Sequence, residues 1–228
     1  MAANTRRWRL AGLLFVAAVV GTGCQPLLLP YFLIPGLEPK NPPEIMALAD
    51  EKGGEVKVVI WAIAPVETGT EFIRVDRELA SVLARHLQGH FKESKDKVQI
   101  VSPRKVEKFK DDHPDWQSLQ LADVGRAFAA DYVICLEIQE VGLYEKSTAK
   151  TFFRGNIGID VAVLDMRKPD EGAVTKHVGD TFPTGSRGPV LAEDRPLADF
   201  RQAFVEHVGK RLAWCFVPHA TSELMSCE

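Results

Sequence analysis

The chain has 228 residues with 28 basic and 31 acidic side chains, which gives a formal charge of −3. At 46% hydrophobic and 26% charged residues it can bury a sizeable core, which excludes an intrinsically disordered protein. The acidic balance disfavours nucleic acid as a partner, because surfaces that bind nucleic acid are basic.

The first 24 residues have the pattern of a secretory signal. Three arginines within residues 6–9 precede an apolar run over residues 10–20, and the small residues 21–23 lead directly into Cys24. An apolar run of about 11 residues has signal-peptide length and is too short for a membrane-spanning helix. This arrangement resembles the lipobox of bacterial lipoproteins, although Gly21 stands where that family usually has a larger aliphatic residue.

The resemblance implies removal of residues 1–23 and acylation of Cys24, with palmitate among the acyl groups, so that the bilayer holds the chain through its lipid. Two or more acyl chains, at ~0.8 kcal/mol per buried methylene, anchor a protein stably. Gln25 follows the cysteine where an Asp would be the retention signal of the better-known lipoprotein families. We therefore expect a protein of the bacterial envelope on the outer membrane, facing the periplasm.

Residues 24–44 are predicted to form a tether, residues 45–217 a single domain and residues 218–228 a tail. Prolines interrupt the apolar stretch 25–36, and residues 39–43 contain three more prolines, so neither stretch predicts a helix. Two interpretations of the apolar stretch stay open. It contacts the membrane or a partner, or it packs along the domain in an extended conformation.

The domain itself predicts the element order β-α-β-α-β-β-β-α. Strands are expected at residues 56–66, 98–101, 131–143, 152–166 and 172–182, and helices at 68–91, 115–129 and from Pro196 onward. The first helix is placed from the capping-box spacing of residues 68–71. Helical connections favour parallel pairing of the early strands, and short turns favour an antiparallel meander of the later ones. The predicted fold is α/β (α+β), a mixed sheet with helices packed on it.

Two segments of this domain resemble a known group of envelope proteins. Residues 124–133 read Val-Gly-Arg-Ala-Phe-Ala-Ala-Asp-Tyr-Val, and residues 157–165 followed by Gly172-Ala173-Val174 read as a strand, an Asp and a hairpin. Both resemble CsgG-like and LpoB-like lipoproteins and the N-terminal domain of TolB. The resemblance covers about residues 56–213 and implies a non-catalytic domain that assembles envelope components or activates a partner enzyme.

Motifs for catalysis and for cofactors are missing from the sequence. There is no Gly-x-Ser-x-Gly, no GxxxxGK[ST] and no GxGxxG. Glu137 and Glu140 are expected on opposite faces of a strand, because their spacing is odd. We therefore predict no catalytic residues and no cofactor. His86 and His90, four apart on a helix, are weak candidates for a metal site, and packing near the helix end is the simpler interpretation.

The remaining candidates concern surfaces and cysteines. Arg104, Lys105, Lys108 and Lys110 are expected on one basic face, either solvated or used for docking. Thr184, Ser186 and Arg187, in a predicted loop over residues 179–194, are candidates for a partner surface or belong to a flexible excursion. Cys135 is expected to pack as a small buried hydrophobe. Cys215 and Cys227 form a disulfide, or are free or intermolecular thiols.

Two functional hypotheses of different classes follow, with a weaker third. The first is a lipid-anchored protein that binds another envelope protein. The second is an envelope hydrolase in which His177 or His113 meets carboxylates and a hydroxyl in the fold. The third is a metal-binding lipoprotein that uses the two helical histidines.

Overall fold

A computed structural model describes residues 40–50, 53–65, 70–184 and 187–220. The predicted signal, Cys24 and the tether up to residue 39 lie outside these ranges. The strands are β1 (Lys40–Asn41), β2 (Val56–Ile63), β3 (Val98–Ile100), β4 (Tyr132–Tyr144), β5 (Phe152–Asp165), β6 (Val174–Phe182), β7 (Val190–Leu191) and β8 (His219–Ala220). The helices are α1 (Val75–Ser94), α2 (Pro103–Asp112), α3 (Leu121–Phe128) and α4 (Leu197–Ala213).

The main sheet is mixed, as the sequence predicts. Its strand order is β3-β2-β4-β5-β6, and β7 also pairs with β5. Strand β2 is parallel to both β3 and β4, whereas β4, β5 and β6 form an antiparallel meander. Helix α1 supplies the crossover between β2 and β3, and helices α2 and α3 supply the crossover between β3 and β4.

Two apolar cores lie on opposite faces of the sheet. Helices α1 and α4 cover the larger one, into which Ile157, Ile159, Val161 and Val163 of β5 all point. Helices α2 and α3 cover a smaller one beside β2 and the start of β4. Because helices lie on both of its faces, β2 has an almost continuous apolar sequence without alternation.

Several elements differ from the predicted ones. Helix α1 begins at Val75 and not at residue 68, because Arg74 has a left-handed backbone (φ 71°) that separates it from a 3-10 turn at Thr70–Phe72. No helix is predicted for the basic stretch 103–110, but residues 103–112 form helix α2. The predicted helix 115–129 is divided into a 3-10 turn and α3. The predicted loop 179–194 contains the end of β6 and the whole of β7.

Residues 40–48, which we name the strap, are bound along the domain. Strand β1 pairs with β8. The backbone N–H of Glu44 donates to the carbonyl of Trp214 (3.1 Å), and that of Ile45 donates to the carbonyl of Cys215 (3.0 Å). Leu48 is 1% exposed and packs in the larger core. The strap therefore attaches the chain to the C-terminal end of α4. The predicted division into signal, tether, domain and tail stays a prediction.

Candidate functional site

The domain has two distinct ends, which follow from strand direction. The strap lies at the end where β6 begins, since Glu44 binds Lys176 of β6 (2.6 Å) as well as Arg211 in the last turn of α4 (2.7 Å). We name this the proximal end. The 14 residues of β5 reach roughly 45 Å at 3.3 Å per residue, so the β4–β5 hairpin turn lies far from the strap.

The opposite, distal end carries the hairpin turn and the N-terminal ends of α1 and α4. Strand β7 pairs with the first residues of β5 there, and Phe200 in the first turn of α4 stacks on Phe153 with ring centroids 4.9 Å apart. Phe72, just before α1, contacts Phe204 of α4 edge to face, with centroids 6.4 Å apart. These aromatic contacts hold the distal ends of both helices against the sheet.

A groove of about 860 Å³ runs between the N-terminal halves of α1 and α4. We name it the arginine groove. Its charged lining consists of Arg74, Arg77, Arg85 and Arg201 with Glu78 and Glu206. The lining has two more arginines than glutamates, and Arg77 is also paired with Glu107 and Asp111 beside the groove. Val82 and Val205 supply apolar surface to the same groove.

Ion pairs position most of these side chains. Arg201 pairs with Glu78 (2.8 Å between Nη2 and Oε2). Glu206 pairs with Arg85 and also contacts Nε2 of His86 (2.8 Å). The side chain of Arg85 is nevertheless 63% exposed. The groove wall thus consists of ion-paired charged side chains, and the side chain of Arg85 remains largely accessible to a partner.

Two exposed apolar side chains directly precede groove residues in the sequence. Ile73 is 63% exposed and precedes Arg74, and Leu197 is 37% exposed and precedes the groove residue Ala198. Leu197 is thus exposed, although it is the first residue of α4. Val174, also exposed, begins β6 at the proximal end. Exposed apolar side chains next to arginines are typical of protein-binding surfaces.

A second surface is the face of β4, β5 and β6 opposite the larger core, beyond the part that α2 and α3 cover. We name it the open sheet face. Nδ1 of His177 lies 2.7 Å from Oδ1 of Asp160, and the side-chain amide of Gln139 donates to Oδ2 of Asp160 (2.9 Å). A β-bulge shifts the register between Ile138 and Glu140.

The bulge overturns the prediction that Glu137 and Glu140 occupy opposite faces. Glu137 pairs with Asp160, and Glu140 pairs with Gly158, two residues earlier on the same side of β5. The extra residue in β4 restores both glutamates to the open sheet face. No local sequence pattern reveals this bulge, because it depends on pairing with β5.

The structure places the two histidines of the hydrolase hypothesis in different surroundings. His177 and Asp160 form a dyad on the open sheet face, with side chains 62% and 36% exposed. His113 follows α2, stacks on Phe109 (centroids 4.0 Å apart) and bonds to the Phe109 carbonyl. In the described part of the chain, neither histidine forms a hydrogen bond with a serine or threonine hydroxyl.

Lys110 is buried, which corrects its prediction as part of a basic surface. It is 4% exposed, and its Nζ donates to the carbonyl of Ala62 (2.6 Å). The ammonium lies 4.9 Å and 4.6 Å from the ring centroids of Trp61 and Trp116, and 3.3 Å from Glu107. These contacts compensate the cost of burying the charge. Arg104, Lys105 and Lys108 are exposed.

Both cysteines in the described ranges, Cys135 and Cys215, are buried. Cys135 is buried as expected, and burial raises the pKa of its thiol to about 11. Burial likewise raises the pKa of Cys215 to about 11. Cys227 lies outside the described residues, so the disulfide stays a prediction.

In the described ranges no group of three or more His, Cys, Asp or Glu could hold a metal ion.

The remaining predicted site residues are His90 of the metal hypothesis and the three loop candidates Thr184, Ser186 and Arg187. The ring of His90 meets Phe91 edge to face, with centroids 5.7 Å apart, so His86 and His90 have different neighbours. Thr184 and Arg187 flank a gap in the described chain that includes Ser186. Their use as a partner surface stays a prediction. Sequence reasoning missed the arginine groove, whose members come from segments more than 100 residues apart.

Comparison with known proteins reveals distant likeness only. No protein-family model and no curated protein matches the chain. Among solved structures, PelC from Paraburkholderia phytofirmans, described as a dodecamer, is 12% identical, with 78% of this chain and 96% of that chain covered at a TM-score of 0.42.

Two lipoproteins are also similar. Lipoprotein GNA1162 from Neisseria meningitidis is 12% identical, with coverage of 69% and 98% and a TM-score of 0.38. A minor lipoprotein from Acinetobacter baumannii is 9% identical, with coverage of 69% and 88% and a TM-score of 0.29. TM-scores below 0.5 mark a distant structural resemblance, and we draw no functional conclusion from it. No helix in the described part of the chain is long and apolar enough to cross a bilayer.

Proposed function

We propose that this chain is an envelope lipoprotein, anchored through acylated Cys24, whose α/β domain binds another envelope protein and catalyses no reaction. The proposal includes palmitate on Cys24 and a position on the periplasmic side of the outer membrane. The observation that carries it is the strap: the segment that follows the predicted anchor is bound to one end of the domain, and the two ends differ in character.

The strap determines which end of the domain is joined to the predicted anchor. Fifteen residues lie between Cys24 and Lys40, and these sixteen Cα-to-Cα steps allow a reach of at most about 55 Å. The strap then enters the domain beside the C-terminal end of α4 and the start of β6. The proximal end is therefore the end joined to the predicted anchor, and we propose that the distal end faces the periplasm.

The distal end has the features of a protein-binding surface. It contains the arginine groove, with Ile73 and Leu197 exposed beside it. Apolar side chains together with arginine are the composition that favours protein interfaces. The hydrolase hypothesis has less support, because the dyad of His177 and Asp160 lies on an open sheet face and lacks a hydroxyl neighbour among the contacts of the described residues.

Site-specific photo-crosslinking in living cells tests this proposal. A photoreactive residue is placed at exposed Lys146 in the distal hairpin turn and, as a matched control, at exposed Asp170 in the proximal turn. We expect a reproducible adduct with one envelope protein from position 146 and little or none from position 170. The absence of any protein adduct from the distal end, with the full chain in its membrane, would reject the binding role.

A further inference from the structure

The arginine groove has a volume of about 860 Å³, and its chemistry selects a particular kind of occupant. We propose that it binds an acidic amphipathic segment of a partner protein, with apolar side chains against Ile73, Val82 and Leu197 and carboxylates against the arginines. This inference rests on the binding role proposed above and adds the site and the partner's chemistry.

Charge is the first argument. Four arginines and two glutamates line the groove, whereas acidic residues outnumber basic ones in the whole chain. Arg77 is paired with Glu107 and Asp111, so Arg74 and Arg85 are the arginines expected to bind a partner's carboxylates. Arginine suits this role because its planar guanidinium binds carboxylates with two parallel hydrogen bonds. Arg85 keeps 63% of its side chain exposed although it pairs with Glu206, so part of its hydrogen-bonding capacity faces the groove.

Apolar exposure is the second, independent argument. Only three large apolar side chains in the described ranges are exposed, and two of them, Ile73 and Leu197, directly precede the groove residues Arg74 and Ala198 in the sequence. Val82 and Val205 continue this apolar surface between the helices. A basic or wholly polar partner would leave these side chains in water, whereas an amphipathic segment would bury them, as in helix-in-groove recognition.

Shape is the third argument. About 860 Å³ is within the range of sites that enclose several side chains, and the groove lies between two packed helices that aromatic contacts fix in place. Arg201 is held by Glu78, so the wall is formed before a partner arrives. A preformed groove loses less conformational entropy when it binds.

Photo-crosslinking at Gln202 in the full chain tests the inference. Gln202 lines the groove and is exposed, and exposed Thr175 on β6 serves as the control position. Mass spectrometry then identifies the captured peptide. We expect an adduct from position 202 with a segment of another protein that is acidic and has apolar residues at helical spacing. A basic segment, a second copy of this chain, or its own residues 221–228 would overturn the proposal.

Charge reversal separates this inference from the broader binding role. We expect Arg74→Glu combined with Arg85→Glu to lower the yield of the adduct about tenfold, and exchange of the partner's carboxylates for lysine to restore it. Arg126→Glu, at an exposed arginine of α3, is the matched control and should have no effect. If capture from position 146 persists while the groove variants change nothing, the groove assignment fails and the binding role stands.

Discussion

Oε1 of Glu44 lies 2.7 Å from Nη1 of Arg211, which joins the strap to the last turn of helix α4. The other carboxylate oxygen of Glu44 accepts a hydrogen bond from Nζ of Lys176 on the edge strand β6 (2.6 Å). One carboxylate therefore connects the segment that leads from the predicted anchor to both a helix and the sheet. Its removal is the most direct way to loosen the strap.

Glu44→Gln is expected to destabilise the domain by about 1–2 kcal/mol, because two charge-assisted hydrogen bonds in a half-buried position are weakened. Glu171→Gln is the matched control. Glu171 pairs with Lys168 on the surface and is 70% exposed, so its change should be below about 0.5 kcal/mol. Denaturant unfolding at pH 7 measures both, and equal stabilities of the two variants would contradict the role of Glu44.

The effect of Glu44 should depend on pH with a definite sign. Burial alone would raise the pKa of Glu44, but hydrogen bonds and charges from Lys176 and Arg211 outweigh burial and lower it. A lowered pKa in the folded state means that the stabilisation is complete above about pH 4.3, where a free glutamate titrates, and is lost as the pH falls through the folded value. The stability gap between the native chain and Glu44→Gln should shrink from pH 7 to pH 3.

Lys110→Met should destabilise the domain by about 2–4 kcal/mol. The substitution removes the hydrogen bond to Ala62, the contacts with two tryptophan rings and one partner of Glu107. Lys105→Met on the same helix is the control and should change the stability by less than about 0.5 kcal/mol, because Lys105 is exposed. Comparable unfolding midpoints for the two variants would show that the buried ammonium contributes nothing.

The case of Lys110 also shows where sequence reasoning ends. The alternation of β5 and the lengths of the connections predict the mixed sheet, because periodicity and loop length are local properties. Burial of Lys110 depends on Trp61 and Ala62, which precede it by almost 50 residues. The bulge beside Glu140 and the arginine groove likewise arise from segments that meet only in the folded chain.

Two glycines in helices should respond to alanine with opposite signs. A Cβ at Gly209 of α4 would overlap the side chain of Val82 on α1, so Gly209→Ala should cost about 1–3 kcal/mol. A Cβ at Gly89 of α1 meets no atom within 4 Å, so Gly89→Ala should stabilise by up to about 1 kcal/mol. Thermal unfolding of both variants checks this, and a stabilising Gly209→Ala would rule out the close packing of the two helices.

Cys135 should resist alkylation in the folded protein. Burial raises the pKa of its thiol to about 11, so the reactive thiolate is scarce at pH 8 and the sulfur is also inaccessible. Iodoacetamide treatment with peptide mass spectrometry should find Cys135 unmodified in buffer and modified in denaturant. Rapid labelling of Cys135 in the native protein would show that this strand position is open to solvent.

Everything proposed for the distal end depends on an anchor at the other end, and the chemical state of Cys24 tests that anchor directly. The measurement is mass spectrometry of the N-terminal peptide from membrane-extracted protein, together with labelled palmitate incorporation in the native chain and in Cys24→Ser. The account predicts a mature chain that begins at acylated Cys24, and a Cys24→Ser variant that lacks label and is released from membranes. An unmodified Cys24 or unchanged membrane fractionation of the variant would contradict it.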